Sequence, residues 1–427
     1  MLLPRVLAAP LVLALLPGLT ACASQPGSAD RPRVGHEATG HRYEGTAADF
    51  AAIRRVLADR ASAVLHDDRA AFLATVDPGD HDFVARQRTL FANLQQLPVA
   101  SMSYTLEDVG IPRRDLGRGP QLSPPVVEYV ALHGADVRPV SNPLVDVFVR
   151  RHHRWLLASE TEHVFNQTTD VQSRPWGGGP VDVARRGNTV VVTDAGTRAP
   201  RLLGRISRAL AAVRAVLGRR AGPHLLVDAT STGVAQRFSA LSHEDAAAVT
   251  FPVHMSARSG VGPDRLAGLV VKINPRRLRG GLGQYGLLRH ELTHVTLFAE
   301  SKGLPVWLSE GMADYVAFHP YPESALVVAA RVRQRLDRMA RHPALPESSQ
   351  FDYDPAENYA LSHAAVLWLA DRYGVPRLLS LVDAYHRAFR STDLVAADTR
   401  MLRRVFGITA RQLAVQAFRV TRQLQVR

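Results

Sequence analysis

Residues 287–297 read Leu-Leu-Arg-His-Glu-Leu-Thr-His-Val-Thr-Leu, with the pattern His-Glu-x-x-His running from His290 to His294. The apolar residues around the two histidines recur at helical spacing, which predicts a helix here. Residues four apart share one face of a helix, so both imidazoles can reach a single metal ion. Glu291 projects beside the pair, where it can take a proton from a metal-bound water.

A third ligand is expected from residues 304–315, which read Leu-Pro-Val-Trp-Leu-Ser-Glu-Gly-Met-Ala-Asp-Tyr. Pro305 suits the first turn of a second helix. Glu310 falls inside the apolar stripe of that helix, where an unpaired carboxylate would be unfavourable and a metal would explain its presence. Asp314 follows on the same face, suited to accept the second ring N–H of a liganding histidine. The alternative is that both carboxylates lie on a solvated helix face.

Together these two stretches resemble the gluzincin metallopeptidases, which include thermolysin-like and aminopeptidase-like enzymes and a bacterial peptidase-MA-like group. The resemblance implies one Zn²⁺ bound by His290, His294 and Glu310, with Glu291 as general base and Asp314 as support. It is specific over about 25 residues and looser over residues 180–375. The spacing to Glu310 is shorter than in thermolysin-like enzymes, so the ligands are carried over and the substrate pocket is not.

The implied chemistry is hydrolysis of a peptide bond by a zinc-activated water. Zinc lowers the pKa of its bound water to about 7, and the base later passes the proton to the leaving amine. Tyr359 precedes an apolar helical run, a placement similar to the tyrosine that steadies the oxyanion in aminopeptidase-like relatives. His363, four residues later, is the reserve candidate. The alternative for Tyr359 is a core tyrosine with a hydrogen-bonded hydroxyl.

The segment before the motif carries two further patterns. In such enzymes the strand before the motif helix often pairs with the substrate backbone, and residues 269–274 are the candidate; an internal strand without a ligand is the equal alternative. Residues 281–286 read Gly-Leu-Gly-Gln-Tyr-Gly and match a dinucleotide pattern. Because no βαβ unit follows, we expect no nucleotide site, and we expect these glycines to form the turn before the motif helix.

Composition excludes several classes of protein. The chain is 46% hydrophobic and 21% charged, as in average globular proteins, and not as in disordered, collagen-like or multi-pass membrane proteins. The net charge is +13, and all but two of its 52 basic residues are arginine, which is typical of a GC-rich genome. The basic clusters are short and match no nucleic-acid module, so we expect no nucleic-acid partner. Attraction to anionic lipid or wall polymers is the alternative interpretation.

The first residues predict export and anchoring. Arg5 precedes an apolar run over residues 6–19 that is too short to span a bilayer and fits a secretory signal. Residues 19–22 read Leu-Thr-Ala-Cys and resemble the lipobox of bacterial lipoproteins. This implies a signal peptide over 1–21, cleavage before Cys22 and lipidation of Cys22, which is the only cysteine. Residues 22–44 are predicted to be a flexible tether. The alternative is a simple secretory signal with an incidental cysteine.

Two α+β domains are predicted beyond the tether. In residues 45–165, a helical stripe from Phe50 to Val64 and further helices precede alternating strands over 102–106, 126–132, 145–151 and 154–159. Helices followed by a curved antiparallel sheet resemble the cone-shaped nuclear-transport-factor-2-like fold. No ionisable constellation in this domain indicates catalysis. His152 and His153 are adjacent, so in a strand they would point to opposite faces and lie at the surface.

Residues 166–180, with three consecutive glycines, are predicted to be the linker. A gluzincin-like domain is expected over 181–427, with a small mixed sheet over 181–275 and helices over 282–427. Sheet first and helices afterwards favours an α+β domain over a parallel α/β domain.

The predicted function is a zinc metallopeptidase lipid-anchored to the outer face of the bacterial cell membrane, with a peptide or protein as substrate. Endopeptidase action is favoured, since no motif is recognisable that would hold a free amine. The alternative is a zinc-binding but non-catalytic lipoprotein acting as a scaffold, against which the intact Glu291 argues. A third hypothesis gives the amino-terminal domain the working role, through binding of a wall polymer or a lipoprotein. The sequence indicates no oligomeric state.

Overall fold

A computed structural model of the chain describes residues 45–110, 116, 119–161, 174–194, 196–218, 224–231, 247–255, 265–275, 281–319, 333–348, 351, 355–388 and 397–423. The predicted signal peptide, the tether with Cys22 and residues 166–173 of the predicted linker lie outside these ranges. Within them the chain is a mixture of helices and two five-stranded sheets. The α+β class predicted from the sequence is confirmed. No helix in the described ranges is long and apolar enough to cross a bilayer.

The amino-terminal region consists of three helices followed by antiparallel strands. Its elements are α1 (Ala47–Leu65), α2 (Arg69–Leu73), α3 (His81–Gln96), β1 (Val99–Leu106), β2 (Gln121–Leu122), β3 (Pro125–Leu132), β4 (Val140–Arg151) and β5 (Arg154–Thr161). Helix α1 begins with a capping box between Thr46 and Asp49, which satisfies backbone N–H groups at its first turn. The predicted stripe from Phe50 to Val64 is buried along α1.

His152 and His153 form the turn between β4 and β5. Both have positive φ angles, 44° and 67°, and both are exposed. The predicted surface location is confirmed, and both residues lie between the two strands, as the predicted strand bounds of 145–151 and 154–159 imply. A two-residue turn with both residues in this conformation matches the right-handed twist of the paired strands.

The carboxyl-terminal region starts with a mixed sheet and continues with helices. Its strands are β6 (Asp182–Arg186), β7 (Thr189–Thr193), β8 (Leu225–Ala229), β9 (Ala248–Met255) and β10 (Arg265–Ile273). Its helices are α4 (Ala199–Leu217), α5 (Gly281–Leu297), α6 (Val306–Phe318), α7 (Arg333–Met339), α8 (Pro355–Tyr373), α9 (Val375–Ala388), α10 (Ala397–Phe406) and α11 (Ala410–Gln423), with a 3₁₀ turn at Phe298–Glu300.

The order of strands in this second sheet is β6-β7-β8-β10-β9. Strands β7, β8 and β10 are parallel, whereas β6 and β9 are antiparallel to their neighbours. The expectation that residues 269–274 pair with substrate is therefore wrong, because β10 has β8 on one side and β9 on the other. In the described residues β9 pairs with β10 alone, and Pro252 within β9 suits an outer strand because proline donates no ladder hydrogen bond.

The expectation of a glycine turn before the motif helix is also wrong, since α5 begins at Gly281 and includes all three glycines of the dinucleotide-like pattern. Glycine in a helix interior is unfavourable by only about 0.5–1 kcal/mol relative to alanine, which tertiary packing outweighs.

Both faces of the second sheet are covered. One face, with Val191 and Val271, packs against α4, α5 and the later helices. The other face, with Val190 and Val270, shares a core with residues of the amino-terminal region such as Phe91. Strands buried on both faces read as continuous apolar runs, as β7 does.

The part of the predicted linker that the structure describes is bound to α3. The Asn93 side-chain amide donates to the carbonyls of Trp176 and Gly179, at 2.9 Å each, and its oxygen accepts from Val181 N at 3.2 Å. Trp176 itself is buried in the core between the two regions. Residues 174–181 therefore pack the two regions together.

Candidate active site

Helices α5 and α6 pack side by side and bring three ligand-type atoms together. Nε2 of His290 lies 3.2 Å from Nε2 of His294 and 3.2 Å from Oε2 of Glu310. Nε2 of His294 lies 3.5 Å from the same Glu310 oxygen. The two histidines come from adjacent turns of α5 and the carboxylate from α6, so the contact between the helices completes the triangle.

The dimensions of this triangle fit a tetrahedral metal ion. Ligand bonds of about 2.0–2.2 Å in a tetrahedron give ligand-to-ligand distances of about 3.3–3.6 Å. Oε2 of Glu310 is buried and makes no well-directed hydrogen bond in the described part of the chain, although two ring nitrogens lie within 3.5 Å. Two imidazole nitrogens and a carboxylate oxygen that converge in this way match the donor set of a zinc site. His290, His294 and Glu310 are therefore able to hold such an ion.

The second ring nitrogens of the histidines face partners on α6. Nδ1 of His290 lies 2.8 Å from Oδ1 of Asp314, so this nitrogen carries the hydrogen and Nε2 is left with its lone pair. Nδ1 of His294 lies 3.4 Å from the Ser309 hydroxyl, a longer and weaker contact. The contact of Asp314 was expected from the sequence. That of Ser309 was not, because serine is not a typical partner of a metal-binding histidine and nothing in the local sequence distinguishes this one.

Electrostatics hold the ligand carboxylate in its charged form. Burial raises the pKa of Glu310, but the charge of His294 and hydrogen bonding to both histidines outweigh burial and lower it to about 2. Burial lowers the pKa of His290, whereas hydrogen bonds to Asp314 and Glu310 raise it well above its usual value. A proton and a metal ion therefore compete for the imidazole nitrogens, as at metal sites generally.

Glu291 lies on α5 next to the first ligand and is 1% exposed. Its Oε2 accepts a hydrogen bond of 2.6 Å from the Thr250 hydroxyl on β9. Its Oε1 is buried and has no hydrogen-bond partner among the described residues. The side chain thus has one oxygen in a hydrogen bond and one available as a proton acceptor.

Two residues proposed for oxyanion stabilisation lie on α8. The ring of Tyr359 is 6.5 Å from the ring of His290, between centroids, and 5.0 Å from Phe351 in an edge-on contact. This places the ring of Tyr359 near that of His290. His363 is buried and packs edge-on against Phe318 of α6, at 5.8 Å between centroids. The catalytic roles of both residues stay predictions.

The ligand helix α6 is held closely by its neighbours. A Cβ atom on Gly311 would lie 2.5 Å from the carbonyl oxygen of Ser362 on α8, so glycine is required for this approach beside Glu310. On the far side, Nε1 of Trp307 donates to Asp398 of α10 at 3.1 Å, and the Tyr385 hydroxyl donates to the other oxygen of the same carboxylate. These contacts fix the position of α6, and hence that of Glu310.

No protein-family model and no curated protein matches the chain. Among solved structures, the chain is similar to a crystal structure of an M1 zinc metallopeptidase from Deinococcus radiodurans, a mutant form bound to a Tyr-Ser-Ala substrate. The identity is 14%, the TM-score is 0.29, and the alignment covers 76% of this chain and 61% of the other. The chain thus spans about three fifths of that neighbour's length. A similarity this distant does not establish a family.

Proposed function

We propose that this protein is a zinc metallopeptidase. One observation carries the proposal: the lone pairs of His290, His294 and Glu310 converge at 3.2–3.5 Å, and the carboxylate of Glu291 lies beside them on the same helix as the two histidines. The spacing of these residues in the sequence, which resembles that of gluzincins, supports the same conclusion. A purely structural metal site has no use for a base at position 291.

Each residue of the candidate site is proposed to have a distinct role in the reaction. Zinc, when bound by His290, His294 and Glu310, supplies a Lewis acid that acidifies water and polarises a carbonyl. Glu291 accepts the proton of the attacking water at Oε1 and delivers it to the departing amine. Asp314 holds the His290 tautomer through Nδ1. Tyr359 is proposed to donate to the developing oxyanion.

The substrate strand is proposed to be β9, in place of the strand expected from the sequence. An extended peptide can add to an outer strand through backbone hydrogen bonds. Strand β9 contacts α5 and carries Thr250, which is bonded to the base. We propose endopeptidase action on this strand, with a peptide or protein as substrate.

Anchoring is a separate proposal that rests on the lipobox-like residues 19–22. We propose that Cys22 carries lipid and holds the protein on the outer face of the bacterial cell membrane. The mass of the amino-terminal peptide from membrane-extracted protein tests this. An acylated Cys22 as the first residue is expected, and Cys22→Ser should release the protein from the membrane. An unmodified Cys22 in mature protein would overturn the proposal.

The peptidase proposal is tested by incubating the zinc-loaded full-length protein with a diverse peptide mixture, with the Glu291→Gln variant as control. Mass spectrometry identifies the cleaved bonds. We expect cleavage by the wild type alone, at internal bonds. If the products instead show single residues released from the amino termini of the peptides, the activity is that of an aminopeptidase. Absence of any cleavage by folded, zinc-loaded protein would favour the non-catalytic zinc-binding alternative.

A further inference from the structure

The hydroxyl of Thr250 makes a short contact with the general base proposed above. Thr250 Oγ1 lies 2.6 Å from Oε2 of Glu291 and 3.4 Å from the backbone carbonyl of the same residue. A hydroxyl has one hydrogen to donate, and O–H···O⁻ bonds to carboxylates are the shorter and stronger kind. The hydrogen therefore goes to the carboxylate.

This bond distinguishes the two oxygens of Glu291. The terminal torsion of a glutamate is broad, so a carboxylate without partners samples many orientations. With Oε2 accepting from Thr250, the carboxylate plane is held and Oε1 is the oxygen left without a partner in the described part of the chain. Proton transfer requires a positioned acceptor within hydrogen-bond reach of the proton.

The location of Thr250 links the base to the substrate strand. Thr250 lies opposite Val271 in the β9–β10 ladder, and its side chain is on the face of the sheet that α5 covers. Strand β9 is one of the two outer strands of the described sheet, the other being β6. A peptide paired along β9 would be oriented by the same strand that orients Glu291.

We propose that Thr250 is a positioning residue that fixes the proton-accepting oxygen of Glu291 relative to the substrate strand. The proposal rests on the peptidase function proposed above. Loss of the hydroxyl should slow turnover without weakening substrate or zinc binding, because Thr250 touches neither the ligand triangle nor, through its side chain, the outer edge of β9.

The test compares four variants of the full-length, zinc-loaded protein. Thr250→Val removes the hydroxyl and keeps the shape, and Thr250→Ser keeps the hydroxyl. Thr296→Val is the matched control, since Thr296 lies on α5 and its hydroxyl donates to the Leu292 carbonyl of the same helix at 2.7 Å. Glu291→Gln gives the full effect of removing the base.

We expect Thr250→Val to lower kcat about 10- to 100-fold, a part of the 10²–10⁴ that a general base contributes, with KM within about twofold and zinc content unchanged. Thr250→Ser should retain kcat within about threefold of the wild type, and Thr296→Val should match the wild type. A Thr250→Val enzyme with wild-type kcat would overturn the proposal, as would a Ser variant as slow as the Val variant.

Failure of the peptidase function is recognised separately, by a wild type that cleaves nothing. The Thr250–Glu291 contact is then measured from the melting temperatures of Thr250→Val, Glu291→Leu and the double variant, because leucine, unlike glutamine, offers the hydroxyl no acceptor. Shifts that do not add support the Thr250–Glu291 bond, because residues in direct contact are energetically coupled. Additive shifts would show that the bond does not form and would overturn the proposal.

Discussion

The protein buries charged groups in two places, and the two clusters are built differently. In the amino-terminal region, Arg174 bonds Glu128 at 2.9 Å and also bonds Glu160. Arg60 lies 3.6 Å from Glu160, and all four side chains are less than 9% exposed. Cations and anions alternate in this amino-terminal ion cluster. Burial raises the pKa of Glu160, but Arg174 and Arg60 outweigh burial and lower it.

At the candidate active site, the buried groups are not arranged as alternating cations and anions. Two imidazoles and the Glu310 carboxylate point acceptor atoms at one place, and the Glu310 oxygen makes no well-directed hydrogen bond in the described chain. The comparison shows that burial of charge alone does not mark a functional site. In the first cluster the charges are paired within the protein, whereas the converging acceptors of the second fit a cation supplied from outside.

Among the substitutions that test the difference between the two clusters, removal of a proposed zinc ligand should have the largest effect, on zinc content and on activity. His290→Ala takes away one corner of the triangle, so we expect zinc to fall from about one ion per chain to near zero, and peptide cleavage to be lost with it. Metal analysis of dialysed protein measures the zinc content. His153→Ala, in the exposed turn, is the control. Equal zinc in the wild type and in His290→Ala would show that the ligand assignment is wrong.

Removal of the base should separate metal binding from chemistry. Glu291→Gln is expected to keep its zinc and to lower kcat by about 10²–10⁴, because the amide cannot accept the proton. Steady-state kinetics and metal analysis on one preparation measure both quantities. Glu347→Gln, which changes an exposed carboxylate, is the control. Loss of zinc in Glu291→Gln would mean that this residue supports the ligands instead.

The amino-terminal ion cluster should respond in stability. Arg174→Met leaves Glu128 and Glu160 buried without their main cation, so we expect the free energy of unfolding to fall by about 3–5 kcal/mol. The exposed pair of Arg54 with Asp108 is the control, and Arg54→Met should change stability by about 0–1 kcal/mol. Urea unfolding measures both. Zinc bound per folded chain should stay the same, and a loss of zinc would contradict the separation of the two clusters.

The partner of the first ligand should have a smaller effect. Asp314→Asn weakens the bond that holds Nδ1 of His290, and such outer partners typically affect metal affinity about 10- to 100-fold. Competition against a chelator of known affinity measures the change. Asp337→Asn, an exposed carboxylate that pairs with Arg422, is the control. An unchanged zinc affinity would show that Asp314 does not support the ligand.

A further effect, on the pH dependence of stability, is expected where the two regions meet. Burial raises the pKa of Asp136 to about 7, and its Oδ2 accepts from Leu132 N at 2.7 Å. Because the folded-state pKa is raised, the wild type should lose stability as the pH rises from about 4, the unfolded value, through about 7. Asp136→Asn keeps an acceptor and lacks this loss.

Melting temperatures at pH 4 and pH 8 test the behaviour of Asp136, with the exposed Asp59→Asn as control. The Asp136→Asn variant should be more stable than the wild type at pH 8, and the difference should disappear at pH 4. A difference that is the same at both pH values would contradict the role of ionisation.

Features that depend on neighbours in the sequence were predictable. The stripe of α1 and the face shared by His290 and His294 follow from helical geometry alone. Glu310 and Asp314 could be proposed because helical spacing and the unfavourable burial of an unpaired carboxylate pointed to a ligand and its support. The amino-terminal ion cluster could not be recognised, since its members lie far apart in the chain and no spacing rule connects them.

The order of strands also escaped prediction. Residues 269–274 were identified as a strand, but the sequence carried no information on whether that strand would be internal or outermost, because pairing between strands is decided by packing. Thr250 and Glu291 are 41 residues apart in the chain, and the Thr250 hydroxyl reaches the base only because β9 lies against α5. Gly311 shows the same dependence, since its lack of a side chain matters only where α8 approaches.

The sequence by itself determined the helices, the identity of the candidate ligands and the base, because backbone periodicity and side-chain chemistry are local properties. Only the tertiary structure decided that α5 and α6 close the triangle, that β9 is an outer strand and that Thr250 holds Glu291. Each of these depends on contacts between segments distant in the chain. These contacts form when the apolar faces of helices and sheets pack together, and a short stretch of sequence does not specify which faces will pack.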